Sequence, residues 1–379
     1  MKKILLFIIS FFSLSMVVLA DNFASNAKSA ILTEYTTGKV LFEKNAKERL
    51  APASMTKVMT LLLTMEAIEQ GKLSMDSNVN ISENAAKMGG SQMFLDANTT
   101  IKLEELIKGV SIVSANDAAV ALSEVVGGSQ EEFVKMMNEK AKSLKMENTN
   151  FVNPHGLDED NHYTTAYDMA IMARELIKHE EILKYTSTYE DYFNKSDGSR
   201  TWLVNTNKLV RFYSGVDGLK TGFTDKAMYC LTATAKKNNI RFITVLMGEP
   251  TSDLRSKETT ELLNYAFNSY KLNTIIDNNK ELGYINIEKG NIDKATLIVK
   301  KPITEIEEIT SNNKEYTFNI KTNNITAPVK RGEVVGNIEI KDSDGLIIRE
   351  EELTIKEDVN KINFFKLLLK NFKILINGK

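Results

Sequence analysis

Ala51-Pro52-Ala53-Ser54-Met55-Thr56-Lys57-Val58-Met59-Thr60-Leu61-Leu62-Leu63 is the stretch on which both the fold and the chemistry turn. Pro52 suits the opening turn of a helix, where its missing N–H costs nothing. The run after Lys57 is apolar on nearly every side, the pattern of a buried helix. Yet that helix opens with a hydroxyl and an amine three residues apart, which puts Ser54 and Lys57 on one face and within reach of each other. Burial lowers the pKa of an amine, and an uncharged amine can take the proton of a serine. Gly71 stands where a helix end prefers glycine.

Upstream, Ala30–Tyr35 and Lys39–Glu43 are short apolar runs around Thr36-Thr37-Gly38, a hairpin signal. Before them, Lys2 and Lys3 precede the apolar run Ile4–Phe12, and Val18-Leu19-Ala20 has the small-residue ending a signal peptidase needs. Residues 1–20 therefore read as an export signal, with an uncleaved anchor as the competing reading, and the rest of the chain as lying outside the cytoplasm.

Downstream, residues 74–103 are polar and turn-rich and include Gly89-Gly90-Ser91-Gln92-Met93-Phe94-Leu95. Helical patterns cover 103–126, 129–145 and 164–179. Asn205–Arg211 is mixed. Gly215-Val216-Asp217-Gly218-Leu219-Lys220-Thr221-Gly222-Phe223-Thr224 comes next, and Met228–Ala235 and Ile240–Met247 flank Lys236-Lys237-Asn238-Asn239 as a second hairpin. A helix near 252–270 closes this part. Strands at both ends with helices between predict an α+β fold, an antiparallel sheet with a helical layer.

After residue 273 the character changes. Tyr316, Phe318 and Ile320 alternate with Thr317, Asn319 and Lys321, the period of a half-buried strand. Val334–Ile340 and Leu346–Ile355 look alike, and Pro328 and Gly332 bracket a turn, so 273–357 reads as a small all-β domain. In the tail, 358–379, Lys366, Lys370 and Lys373 share one helical face, and Phe365, Leu368, Leu369 and Phe372 the other. Charges interrupt it too often for a spanning helix, and it fits an amphipathic helix lying on an anionic membrane. The expected divisions are thus 1–20, 21–272, 273–357 and 358–379.

A chain of 379 residues is too long for one ordinary core. A formal net charge of −2 argues against a nucleic-acid partner. The single cysteine, Cys230, has no disulfide partner and, with three histidines in all, no Cys/His metal set; it reads as a small core residue. No cofactor and no metal are implied.

Alone, S-x-x-K means little; it occurs at Ser25/Lys28, Ser54/Lys57 and Ser311/Lys314, and only Ser54 opens an apolar helix. Ser114-Ala115-Asn116 lies at or near a helix start, and Lys220-Thr221-Gly222 where a strand should begin. S-x-N is cheap, matching Ser82-Glu83-Asn84 and Ser311-Asn312-Asn313 too, whereas K-T-G occurs once. The ordered trio is the signal.

This trio resembles that of the penicillin-recognising serine enzymes. The flanks narrow the resemblance. Pro52-Ala53-Ser54-Met55-Thr56-Lys57, Ser91-Gln92-Met93-Phe94-Leu95, Asn153-Pro154-His155-Gly156-Leu157, Asp217–Thr224 and Ala327-Pro328-Val329-Lys330-Arg331-Gly332 are similar to the low-molecular-mass penicillin-binding proteins, D-alanyl-D-alanine carboxypeptidases. The resemblance implies a β-lactamase/transpeptidase-like catalytic domain followed by an all-β domain. It implies peptidoglycan stem peptides ending in D-Ala-D-Ala as substrate, β-lactams as inhibitors and a membrane surface as partner of the tail.

By that resemblance Ser54 is the nucleophile and Lys57 its base, with a pKa lowered by burial and by Lys220. Ser114 relays a proton to the leaving amine, and Asn116 orients Lys57 and holds the substrate amide. Lys220 and Thr221 bind the terminal carboxylate. Gly222 lets the strand approach the substrate, and the N–H groups of Ser54 and Phe223 form the oxyanion hole. Two positions depart from some relatives: Phe223 stands in place of His, and Thr206 in place of an Arg that could grip the carboxylate. The residues themselves suggest for Thr206 a strand position without a role.

His155 and His162 read as loop-packing residues and, like His179, lack nucleophile-elbow or metal-ligand spacing. Asp117 reads as a solvated or capping helix residue. A β-lactamase on the same scaffold would need a Glu-x-x-Leu-Asn segment before K-T-G; Glu261-Leu262-Leu263-Asn264 comes after it. An endopeptidase that cuts D-Ala cross-links and a penicillin-binding wall module without turnover use the same residues and stay open.

Overall fold

The computed structural model describes residues 23–195, 197–311, 314–366 and 368. The expected export signal and, in the tail, residues 367 and 369–379 lie outside the described residues.

The first hairpin forms, β1 (Ser29–Glu34) with β2 (Val40–Lys44). Pro52 caps a 3-10 turn, Ala53–Thr56, and α1 (Lys57–Glu69) starts at the lysine. The helix expected to open at Ser54 thus begins one turn later. Ala53 takes a φ of 48°, a left-handed value that an α-helix cannot contain. Gly71, with φ 69°, turns the chain just past the end of α1. The polar stretch after it makes a small ladder, β3 (Asn78–Asn80) with β4 (Thr100–Lys102), around the one-turn helix α2 (Glu83–Ala86).

The long helix expected over 103–126 is two helices, α3 (Leu103–Ile112) and α4 (Asn116–Gly127). They break at Val113-Ser114-Ala115, where Ser114 has φ 65°. The apolar pattern runs straight through the break, which is why periodicity misses it. The first N–H of α4 has no partner within its helix; that of Asn116 donates to the Ser91 carbonyl at 2.7 Å. Next come α5 (Gln130–Ser143) and α6 (Ala166–Ile177), whose N-caps Ser129 and Thr165 accept from the N–H groups of Glu132 and Asp168. Helix α7 (Ile182–Thr186), the hairpin β5 (Glu190–Asn194) with β6 (Arg200–Val204), and α8 (Leu209–Phe212) lack a clear periodic signal and are additions to the expected elements.

Strands β7 (Val216–Thr224), β8 (Met228–Lys237) and β9 (Ile240–Glu249) complete a five-stranded antiparallel sheet in the order β2-β1-β9-β8-β7. Lys220 lies inside β7 rather than at its start. Helices α1 and α3–α6 cover one face around a core that includes Met55, Leu62, Val110 and Cys230. Helix α9 (Ser252–Ser269) covers the other through Leu262, Leu263 and Ala266. Cover on both faces explains why β1 and β9 are buried at every position. Because β7 is an edge strand, its outer rim stays open beside the Ser54 turn.

Strand β10 (Tyr270–Ile276) follows α9 directly and pairs with β13 (Ile303–Glu308), which comes after β11 (Tyr284–Glu288) and β12 (Lys294–Val299). Then come β14 (Thr317–Thr322), β15 (Ile325–Thr326), β16 (Gly336–Lys341) and β17 (Ile347–Ile355). A six-stranded sheet results, β14-β16-β17-β12-β11-β15, closed over Ile287, Leu297, Ile338 and Leu353. The expectation that Phe318 and Ile320 lie on a half-buried strand needs correction: β14 is exposed at every position. It is an edge strand, and the two side chains sit opposite the buried Ile340 and Ile338 but beyond the cover those residues enjoy.

Candidate active site

The 3-10 turn, the break between α3 and α4 and the edge strand β7 converge on Ser54. Lys57 is fully buried at the start of α1. Its Nζ lies 3.0 Å from Ser54 Oγ, 2.7 Å from Asn116 Oδ1 and 2.6 Å from the His155 carbonyl oxygen. Among the described residues no carboxylate comes within ion-pair distance of it. Burial first, and the Lys220 ammonium second, hold its pKa well below the ordinary lysine value, against an opposing pull from Asp117.

These contacts orient the amine. A neutral amine has two N–H bonds and one lone pair. Asn116 Oδ1 and His155 O can only accept, so they take both N–H groups. In that neutral form the lone pair would face Ser54 Oγ, 3.0 Å away, whereas a protonated Lys57 would donate to all three oxygens. Asn116 is itself fixed, because its Nδ2 donates to Gly89 O at 2.7 Å. That contact uses one of the two N–H groups of the Asn116 amide.

Two loops brace the turn, and sequence reasoning gave neither its geometry. Thr56 Oγ1 donates to Ala53 O at 2.8 Å and accepts from His162 Nε2 at 2.8 Å. His162 Nδ1 accepts from Val152 N at 3.1 Å, which fixes a neutral tautomer. Burial and Lys226 lower its pKa to about 4. On the other side, Thr60 Oγ1 donates to Pro154 O at 2.6 Å, and a Cβ on Gly156 would stand 1.9 Å from Ala53 O. Only glycine fits there, with φ 90°. Both histidines are loop-packing residues, as expected; burial and Lys57 lower the pKa of His155 to about 3.

Ser114 is buried, and among the described residues its Oγ has no hydrogen-bond partner. Its left-handed backbone is the bend that delivers Asn116 to Lys57. Asp117 is not solvated but fully buried. Its carboxylate accepts from the N–H groups of Met93 and Leu95, both at 3.1 Å, and of Ala118 at 2.9 Å. This clamp pins the 91–95 segment beside α4 and turns Phe94, with φ 61°, out to solvent.

On β7, Lys220 is buried and donates to the Thr221 carbonyl at 3.0 Å, with no ion pair among the described residues. Burial, then Arg255, lowers its pKa to about 7. Thr221 Oγ1 donates to Thr206 Oγ1 at 2.7 Å. Thr206 is therefore a loop residue in contact with the site, not an idle strand residue. A Cβ on Gly222 would lie 2.9 Å from Pro52 O and 3.2 Å from Met55 N, so this glycine lets β7 press against the Ser54 turn. Phe223 projects into solvent and stacks on Tyr229, ring centroids 4.3 Å apart.

Residues 16–251 match the peptidase S11 family, D-alanyl-D-alanine carboxypeptidase, and residues 270–361 the C-terminal domain of penicillin-binding protein 5. The D-alanyl-D-alanine carboxypeptidase DacF of Bacillus subtilis is 47% identical over 346 residues, 91% of this chain and 89% of that one. The solved penicillin-binding protein 5 of Haemophilus influenzae superposes with a TM-score of 0.73 at 33% identity, covering 89% of this chain and 98% of that one. Penicillin-binding protein D2 of Listeria monocytogenes, solved with ampicillin bound, gives 0.57 at 32% identity over 64% of this chain and 98% of its own. By the extent of the first match and the level of these identities, the chain belongs to the S11 family of D-alanyl-D-alanine carboxypeptidases.

Proposed function

We propose that the protein is an exported serine D-Ala-D-Ala carboxypeptidase that removes the terminal D-alanine of peptidoglycan stem peptides through an acyl-enzyme on Ser54. The observation that carries this is the placement of Lys57, buried without a carboxylate partner among the described residues, its Nζ 3.0 Å from Ser54 Oγ and within hydrogen-bond reach of Asn116 Oδ1 and the His155 carbonyl.

The Ser54 proton passes to Lys57 as Oγ bonds to the carbonyl carbon between the two D-alanines. The N–H groups of Ser54 and Phe223 hold the oxyanion, at roughly 3–4 kcal/mol per donor. The proton then travels from Lys57 through the unspent hydroxyl of Ser114 to the leaving nitrogen, and the C–N bond breaks. Water attacks the ester, returns a proton to Ser54 Oγ and leaves a shortened peptide with a new carboxylate. Lys220 and Thr221 hold the carboxylate of the departing D-alanine, the Thr221 hydroxyl turning its one proton from Thr206 Oγ1 to the carboxylate. A β-lactam acylates the same oxygen and stays, since its leaving nitrogen remains tethered. Glu261-Leu262-Leu263-Asn264 lies on α9, across the sheet from Ser54, with Leu262 and Leu263 in the core. A class A deacylating glutamate does not come from there.

Mass spectrometry of the intact protein after benzylpenicillin, with peptide mapping, tests the assignment. One adduct on Ser54 is expected, and Ser54→Ala is expected to lose both the adduct and D-alanine release. Labelling that survives the substitution contradicts it.

The same reading takes 1–20 as export signal, 21–272 as catalytic domain, 273–357 as all-β domain and 358–379 as the helix that holds the enzyme on the outer face of the membrane. Phe364, Phe365 and Leu368 support the last part by their exposure. Truncation after residue 357 is expected to release active protein from membranes. A truncated form that still pellets with membranes contradicts the tether.

A further inference from the structure

The chain has one tryptophan, and it is exposed. Trp202 lies on β6 directly opposite Tyr192 of β5, and the two are 58% and 44% exposed. Arg200 stands two residues from Trp202 on the same face, its guanidinium 4.2 Å from the Tyr192 ring centroid. The other face of the hairpin buries Phe193 and Leu203. A two-stranded hairpin over a core ordinarily turns polar side chains outward; this one turns out two aromatic rings and a planar cation.

The hairpin is held in place. Lys108 Nζ meets Asp191 Oδ2 at 2.7 Å, Lys195 Nζ approaches Asp96 Oδ2 at 3.7 Å, and Thr201 Oγ1 donates to Met93 O at 3.5 Å. The last two contacts seat it on the segment that Asp117 clamps beside Asn116. Beyond β6 the chain runs directly into Thr206, which touches Thr221 of the carboxylate site. The hairpin that carries the aromatic face therefore adjoins two segments of the catalytic cleft, the clamped 91–95 segment and the loop of Thr206.

We propose that Trp202, Tyr192 and Arg200 form a platform for the glycan strand that carries the stem peptide. This rests on the carboxypeptidase reading above, because only a glycan-borne peptide brings sugar to this rim. A pyranose has one apolar face, which suits a flat ring, and polar edges, which suit a neighbouring guanidinium. Rigid aromatic side chains give contact area at little entropic cost. Three side chains are too few for a protein interface, which needs about 800 Å² per partner. A net charge of −2 disfavours nucleic acid.

Because Trp202 is the sole tryptophan, its emission reports on this place alone. The test titrates the full protein with a peptide-free tetramer of β-1,4-linked N-acetylglucosamine while following that emission. A saturable change is expected. In parallel, Trp202→Ala is assayed on a soluble peptide ending in D-Ala-D-Ala and on the same peptide carried by glycan strands. Turnover of the soluble peptide is expected within about twofold of wild type, and kcat/KM on the glycan-borne peptide to fall on the order of tenfold. An emission unmoved by the sugar overturns the proposal. So does an equal loss on both substrates, which would make Trp202 a peptide-site or folding residue. A protein without carboxypeptidase activity whose emission still answers to the sugar would sink the enzymatic reading and leave the platform standing.

Discussion

In the β-rich part after residue 270, cations meet carboxylates at the surface: Lys300 with Glu352 at 2.8 Å and Lys356 with Glu281 at 2.6 Å. Around Ser54, Lys57 and Lys220 are buried and, among the described residues, meet only oxygen atoms that carry no charge. The backbone divides in the same way. Ala53, Phe94 and Ser114 all take left-handed φ values within the cleft, whereas Lys289 alone does so among the non-glycine residues described after 270. Each such residue costs about 1–3 kcal/mol, and a buried amine without a counterion costs more than it returns to folding. An arrangement that weakens the fold in this way makes sense where it performs chemistry. The surface pairs of the β part are near neutral for stability and perform none.

Substitutions that restore ordinary packing in the cleft should therefore damage activity more than stability, and the β part should be indifferent. The largest effect is expected from Gly222→Ala. The added methyl meets Pro52 O and Ala53 Cβ at 2.9 and 3.0 Å, so the Ser54 turn must retreat from β7. Acylation by benzylpenicillin should slow by about 100-fold, the scale of a misplaced reacting group. A Gly222→Ala enzyme with wild-type acylation would show that the close approach is incidental.

The next effect is one of pH. The Lys220 pKa is lowered to about 7, and its protonated form grips the carboxylate. Above about pH 7 the free enzyme loses that charge, so kcat/KM for a D-Ala-D-Ala peptide should fall by up to tenfold per pH unit. A peptide amidated at its C-terminus should not share the fall. Stability runs the other way. The unfolded lysine holds its proton to about pH 10.4. The native state therefore binds fewer protons between about 7 and that value, and this group makes unfolding harder as pH rises through the window. Equal alkaline limbs for the free and amidated peptides would remove Lys220 from carboxylate recognition. The smallest effect is expected from Lys300→Ala, which should change stability by less than about 1 kcal/mol and leave turnover untouched; a larger loss would erase the contrast between the two parts.

The two parts also differ in how legible they are. The β part could be read only as a class, since alternation marks strands but not order or edges; Phe318 and Ile320 alternate correctly and still end up exposed on an edge. The cleft was legible through its trio of motifs, because the chemistry needs those residue types. What escaped was the geometry that brings them together. The bend at Ser114 hides inside continuous apolar periodicity. The His155 carbonyl, the Thr56 brace and the Asp117 clamp act through backbone groups and loop closure, for which a sequence has no signature. Thr206 looked idle because its partner, Thr221, is reached only through folding.

The central claim is that Lys57 is an uncharged amine in the resting enzyme. Side-chain 15N NMR of the lysines across a pH titration, with the Lys57 signal assigned by its loss in Lys57→Met, tests it most directly. The predicted result is a titration well below the ordinary lysine range, with the amine neutral where the enzyme is active. A Lys57 signal that stays ammonium until about pH 10, like a solvent-exposed lysine, would contradict it.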